Sequence, residues 1–372
     1  MARRPAAQEI EAPPEADRRE PFPHPRMTAR LFGHETAAAE LTGGVKDGRL
    51  HHGWLITGRE GIGKATLAYQ FAIWLLARPV DRLAGHPLAV APDSPAARQV
   101  RAMSHPGLLT LRRIWDPKTK RFSSVVTVDE VRRLRNFLGH TMGGDGWRAV
   151  IVDPADDLNP AAANALLKSL EEPPPQTVFL LLAAEPGRLL PTIRSRCRLL
   201  GLDPLPDPEL WTAVLAACTA AGVDPPEEAA RHRLAVLARG SVGRFVTLAA
   251  SGGLATDDAV RRALHLLPKV DWTAAHAIAD EMSGSAGEPR LEQFYELLLD
   301  LLARLVRARA GGSANEPDRE LAARVIPDGA LATFADLWEI IGREKAEAQA
   351  LNLDRKSLVL GTFARLEAAA RR

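Results

Sequence analysis

Apolar residues follow two regimes along this chain. Up to about residue 205, short apolar runs alternate with segments of helical spacing; beyond Pro208 only the helical spacing remains. Trp54-Leu55-Ile56, Leu108 to Ile114, Trp147 to Val152 and Val178 to Leu182 are the runs, each predicting a buried strand. Between them His34 to about Asp47, Leu67 to Leu75, Val128 to Leu138 (Thr127 as N-cap) and a segment from Asn159 have helical character. Strands and helices in alternation predict a mainly parallel sheet with crossover helices, an α/β core.

Past Pro208, Leu210–Ala221, Glu227–Ala238 and Val242–Ala250 predict three short helices, a small lid. Everything after Ala255 is expected to be helical: Leu291, Phe294, Leu298, Leu301 and Leu305 recur at 3/4 spacing, and further helices cover about 328–348 and 354–371. Residues 1–26, rich in proline and charge without apolar periodicity, are expected to be a disordered tail. From Pro79 to about Pro106, prolines and Gly85 predict an irregular insertion. The expected domains are therefore the tail (1–26), the α/β core (27–205), the helical lid (206–252) and an all-α C-terminal domain (253–372).

The formal charge of +2 on 372 residues leaves no global nucleic-acid footprint, so any DNA contact must come from a local patch. Cys197 and Cys218 are the only thiols, too few for a disulfide framework or a four-cysteine zinc site. There is no signal-peptide core and no apolar window long enough for a membrane span, so a reducing cytoplasm is expected.

Candidate chemistry begins where the first strand ends. Gly58-Arg59-Glu60-Gly61-Ile62-Gly63-Lys64 matches seven positions of a phosphate loop. Its glycines let backbone N–H groups close on phosphate oxygens, the helix N-terminus adds its dipole, and Lys64 adds a point charge. The next position is Ala65, where a hydroxyl ordinarily ligates Mg²⁺; Thr66 is rotated away by about 100°. Asp153 ends its strand as a metal-site aspartate would, but Pro154 follows it, and Ala183-Ala184 follow the strand at Val178. Asp156 and Asp157 suit a helix start.

The run Ala163-Asn164-Ala165-Leu166-Leu167-Lys168-Ser169-Leu170-Glu171-Glu172-Pro173-Pro174, followed by Ser195-Arg196-Cys197, resembles the bacterial clamp-loader branch of the AAA+ proteins. Asp153 precedes Asn164 by eleven residues, as in the motors of that branch, so Pro154 falls at their catalytic glutamate. The resemblance covers about Phe32 to Ala250, with the C-terminal helices matching by class as a ring-forming collar. It implies that Ala65, Pro154 and Ala184 are three blank catalytic positions. The lid sequence Gly240-Ser241-Val242-Gly243-Arg244 also puts glycine where a motor has arginine.

Within the branch these blanks make the chain similar to the delta-prime stators. The resemblance then implies that Arg196, with Ser195 and Cys197 around it, is a trans arginine finger for a neighbouring ATPase. It further implies no intrinsic hydrolysis, and no required cofactor beyond a static ATP or ADP at Gly58, Gly61, Gly63, Lys64 and Asp153. The implied partners are the gamma/tau and delta subunits in a hetero-pentameric ring, with the sliding clamp and primer-template DNA reached through the complex. The implied location is the cytoplasm, at the nucleoid through the replisome, as a component of a DNA-directed DNA polymerase assembly. Family members commonly carry a four-cysteine zinc module in the insertion; Leu83 to His105 holds no cysteine, so no zinc and a degenerate, partly mobile insertion are expected there, with His86 and His105 as turn histidines.

Two other readings stay open from sequence: a gamma/tau-like motor using Lys64 and Asp153, and a DNA-binding module with a vestigial loop. For the latter, Arg132, Arg133 and Arg135 form a row suited to DNA phosphates, or a solvated face offset by Asp129 and Glu130. Arg112, Arg113, Lys118, Lys120 and Arg121 are a weaker cluster. His51-His52 resemble the family's adenine-side segment, and Trp74, Trp211, Trp272 and Trp338 are expected in cores.

Overall fold

The computed structural model describes residues 14–139, 146–284 and 287–371. In chain order the elements are α1 (Glu35–Lys46), β1 (Gly53–Thr57), α2 (Lys64–Leu76), α3 (Pro95–Arg101), β2 (Leu108–Arg112), β3 (Trp115–Asp116), β4 (Arg121–Phe122), α4 (Val128–Gly139), β5 (Arg148–Asp153), α5 (Pro160–Glu171), β6 (Thr177–Ala183), α6 (Pro191–Arg194) and β7 (Arg198–Gly201). Helices alone follow: α7 (Asp207–Ala221), α8 (Glu228–Ala238), α9 (Val242–Ala250), α10 (Gly253–His265), α11 (Trp272–Ser283), α12 (Gly287–Arg309), α13 (Glu316–Val325), α14 (Leu331–Ala350) and α15 (Arg355–Ala370).

The expected sheet is present as five strands in the order β2-β5-β6-β1-β7, all neighbours parallel. Its apolar runs are continuous because both faces are covered. On β5, Ala149 and Ile151 pack with α1 and α2, while Val150 and Val152 pack with α4 and α5; on β6, Val178, Leu180 and Leu182 take the first side and Phe179 and Leu181 the second. The helix after β5 starts where local chemistry dictates. Asn159 caps α5 by accepting from the Ala162 N–H at 2.8 Å, and Pro160 occupies the first turn, where its missing N–H is not needed. The fifth strand, β7, was not legible in the sequence: it is a four-residue edge strand, too short to show a period.

The chain divides into two compact units, one up to Thr247 and one from Leu248. The division falls inside α9 rather than at the expected 252/253. Each unit has its own core. In the second, α12 is the central helix: its Phe294, Leu298, Leu301 and Leu305 are buried with Phe334 of α14 and Phe363 of α15. That core also holds a charge network, in which Asp318, 1% exposed, accepts from Arg304 Nε at 2.8 Å and pairs with Arg261 at 3.0 Å. Removing one member would strand a buried charge, a loss of about 3–5 kcal/mol.

Several expectations are corrected here. Residues 14–26, expected in a disordered tail, are packed: Phe22 and His24 are buried, and Arg26 donates to the Arg101 carbonyl at 2.7 Å. Composition misled because the ordering forces are long-range ion pairs, invisible to a local reading; residues 1–13 lie outside the described residues. The insertion over 79–106 is built rather than degenerate. Arg82 bridges Val90, Ser94 caps α3 on the Ala97 N–H, and Leu88, Ala97 and Val100 join the core of the first unit. The expected strand to Ile114 stops at Arg112 and gives way to the β3–β4 hairpin. Trp74 is buried as expected, but Trp272 and Trp338 are 39% and 42% exposed, the latter donating Nε1–H to the Leu299 carbonyl. Among the described residues, no helix is long and apolar enough to cross a membrane.

Candidate functional site

At the C-terminal ends of the strands, β1 runs into the phosphate loop and α2 starts at Lys64. Gly61 has φ +71°, and a Cβ there would come within 2.8 Å of the Gly243 Cα, so both the backbone and the space demand glycine. Lys64 Nζ donates to the Gly58 and Arg59 carbonyls at 2.7 and 2.9 Å. Burial lowers the Lys64 pKa, and Asp153, Asp156 and Glu60 pull against it. Asp153, at the end of β5, is pushed up to about 7 by burial first and Asp17 second, against Lys64, Arg112 and Arg113. His34, at the start of α1 with φ 59°, places Nε2 3.0 Å from the Ile62 carbonyl and so buttresses the loop from outside.

The acids after Pro154 have structural partners. Asp156 is not merely a helix-start acid: one of its carboxylate oxygens accepts from the Ala184 and Glu185 N–H groups at 2.6 and 3.1 Å, tying it to the end of β6. Asp157 pairs with Arg113 at 3.5 Å. The lid packs directly on the loop. Ser241 Oγ donates to the Glu60 carbonyl at 2.8 Å, and Gly243 N–H donates to the Gly61 carbonyl at 2.9 Å. A Cβ on Gly243 would lie 2.7 Å from the Gly61 Cα, so no arginine fits at that lid position in this packing.

The Ser195-Arg196-Cys197 triplet is at the other end of the same sheet. It precedes β7, whose Arg198 pairs in register with Trp54, while the phosphate loop begins four residues beyond Trp54, roughly 13 Å along the strand. Gly53 is small because a Cβ there would meet the Arg196 carbonyl at 3.1 Å and the Cys197 sulfur at 3.2 Å. Cys197 is an anchor: burial pushes its thiol up to about 11, outside the range of a reactive thiolate. Ser195 Oγ and Arg196 Nη1 both donate to the Thr192 carbonyl, at 3.1 and 2.9 Å. The Arg196 Nη2 pairs with Glu171 at 2.7 Å, both side chains being partly exposed.

Glu171 belongs to the Leu170-Glu171-Glu172-Pro173-Pro174 run at the end of α5. The two segments that carry the family resemblance therefore meet in one ion pair, and sequence reading missed this. The two motifs were already in hand; what tertiary contact added was the pairing.

The remaining candidates separate. Arg132 and Arg133 pair within α4 to Asp129 and Glu130 at 2.6 and 2.7 Å; Arg135 is exposed on the same helix. Arg112 is no surface cation: it pairs with Glu15 and Asp17. His51 and His52 stack on each other at the start of β1, the end of the sheet away from the phosphate loop. His86 and His105 accept from the N–H groups of Leu88 and Gly107 in turns. Among the described residues no three His, Cys, Asp or Glu side chains gather to hold a metal.

Comparison with known proteins agrees with this geometry. The family model described as DNA polymerase III, delta subunit, matches residues 33–206. The delta-prime subunit of DNA polymerase III from Escherichia coli is 30% identical over 333 residues, 88% of this chain and 92% of that one. The same subunit from Pseudomonas aeruginosa is 39% identical over 147 residues, 39% of this chain and 41% of that one. The gamma/tau subunit from Mycobacterium tuberculosis is 29% identical over 344 residues, 81% of this chain and 55% of that one. With a phosphate-loop core, a paired-motif arginine and a near full-length relative in agreement, the chain belongs to the delta-prime family of DNA polymerase III clamp-loader subunits.

Proposed function

We propose that this chain is a stator of the clamp loader, which supplies Arg196 in trans to the ATP site of a neighbouring gamma/tau-type subunit and does not itself hydrolyse ATP. The observation that carries this reading is the separation within one sheet. Arg196 is at the N-terminal end of β7 and Lys64 and Asp153 are at the C-terminal ends of β1 and β5, so the guanidinium cannot serve its own pocket. A finger brought in by a neighbour stabilises charge on the transferring phosphoryl group, an effect of roughly 10³–10⁵ in rate, and needs no base or metal of its own.

The chain's own pocket lacks the groups of a hydrolase. Ala65 has no hydroxyl for Mg²⁺, Pro154 has no carboxylate to polarise water, and Ala184 has no polar side chain to position it. Gly243 leaves no room for a lid arginine. In the assembled ring the partners would be gamma/tau and delta, with the sliding clamp and primer-template DNA engaged by the complex, in the cytoplasm at the nucleoid.

The test is DNA- and clamp-stimulated ATP turnover by the reconstituted loader with wild-type chain, Lys64→Ala or Arg196→Ala. Loss with Arg196→Ala and near-normal turnover with Lys64→Ala is the expected result. The reverse pattern, or turnover by the isolated chain, would make it a motor.

A further inference from the structure

Residues 15–26 form a strap at the phosphate-loop end of the sheet, held at the end of β2 by Glu15, Asp17 and His24 and reaching the phosphate loop through Arg19. At the β2 anchor, Glu15 and Asp17 pair with Arg112 at 3.1 and 3.3 Å. Arg112 is the register partner of Asp153, so the anchor sits beside that aspartate. His24, at the same anchor, is 2% exposed, its Nε2 2.7 Å from Asp17 and its ring edge-on to Tyr69 at 5.4 Å. Burial alone would raise the Asp17 carboxyl, but His24 and Arg112 outweigh it and hold it below its ordinary value. Arg19 lies between Asp17 and His24 in sequence, at the tip of the strap. Its guanidinium pairs with Glu60 on the phosphate loop, donates to Thr247 Oγ1 on the lid at 2.8 Å, and lies 3.2 Å from where a Gly243 Cβ would be.

We propose that this strap is an intramolecular lock on the nucleotide site, with Arg19 stapling the phosphate loop to the lid. Three features fit a closed site. The loop and lid backbones already touch through Gly61 and Gly243, and Lys64 turns its ammonium onto loop carbonyls. Asp17 pairs with Arg112, the register partner of Asp153, so the strap takes up a cation at the strand ends beside the pocket. The staple itself is exposed, with side-chain exposures of 36% for Arg19 and 82% for Glu60, so it opens without disturbing a core. The lock rests on reading Gly58–Lys64 as a nucleotide loop, and is independent of the role proposed for Arg196.

A closed state that must open before binding reduces apparent affinity by the fraction of molecules that are open. The experiment is titration of the full chain with fluorescent ADP and ATP analogues, for wild type, Arg19→Ala, Glu60→Ala and Arg19→Ala with Lys64→Ala. Hydrogen exchange of the 15–22 amides would be followed in parallel.

Breaking the staple from either side is expected to tighten binding about tenfold or more, with faster exchange in the strap. Lys64→Ala is expected to abolish the gain. Wild-type binding as tight as that of the variants would overturn the lock while leaving the loop reading intact. Weaker binding by Arg19→Ala would overturn it by making Arg19 a nucleotide contact. A strap that exchanges fast in Arg19→Ala, with no variant binding nucleotide, would overturn the lock and the loop reading together.

Discussion

The two ends of the parallel sheet hold the same kinds of groups, cations facing carboxylates, in opposite states. At the phosphate-loop end, Asp153 is partly buried, Lys64 is turned onto loop carbonyls, and Arg19 and Ser241 engage the loop from within the chain. At the β7 end, Arg196 is 35% exposed and held by one carbonyl and one half-exposed carboxylate. A guanidinium has five N–H donors, and here two are engaged. Burial fixes a charged group and adds a desolvation cost, whereas exposure leaves it available to a partner at little cost. The end that looks like an active site is thus the self-contained one, and the end that looks like a surface turn is the one open to another protein.

Four substitutions test this contrast. The largest effect is expected from Arg196→Ala, which should lower turnover by the reconstituted complex by about 10²-fold or more while leaving the melting temperature of the chain unchanged. Gly243→Arg, which puts a motor-type arginine on the lid, must separate two backbones now in contact. It should lower stability by about 1–3 kcal/mol in urea unfolding, and an unchanged midpoint would show that the loop–lid contact is not tight.

Asp153→Asn should show itself in pH dependence. The folded Asp153 pKa of about 7 lies above its ordinary 3.8, so the folded state binds the extra proton between these values. Its contribution to stability therefore falls as pH rises from about 4 to 7 and is flat above. The asparagine variant, having no such proton, should gain on wild type by about 2–3 kcal/mol between about pH 5 and pH 8. Parallel curves would mean that folding does not raise the Asp153 carboxyl.

The smallest effect is that of Glu171→Ala. An exposed pair contributes at most about 1 kcal/mol, too little to keep Arg196 from another partner but enough to limit its rotamers. Turnover should fall by about two- to fivefold, with kcat affected more than KM, and Glu171→Gln should recover most of it by keeping the acceptor.

Much of the core was legible because its signals are local. The runs at Trp54, Trp147 and Val178 gave three strands, Asn159-Pro160 gave a helix start, and the glycines with Lys64 gave the loop. What escaped depended on distance in sequence. The order in 14–26 rests on pairing with Arg112 and Glu60, about 95 and 40 residues away. The fold of 79–106 rests on burial of Leu88 and Val100 against α2 and the sheet, and β7 is too short to announce itself. Trp272 and Trp338 misled because a tryptophan on an apolar stripe reads the same whether or not a neighbour covers it.

By itself, the sequence determined the element types of the core, the phosphate-loop pattern with Ala65 after it, and the family resemblance, since each is a matter of residue identity at fixed spacing. Only the tertiary structure decided that Arg196 faces away from its own pocket, that Glu171 is its partner, that Gly243 has no room for a side chain, and that the N-terminal segment reaches the phosphate loop. Those facts depend on which strands are neighbours and in what register. Register is set by packing across the whole sheet, and no local stretch of the chain contains it.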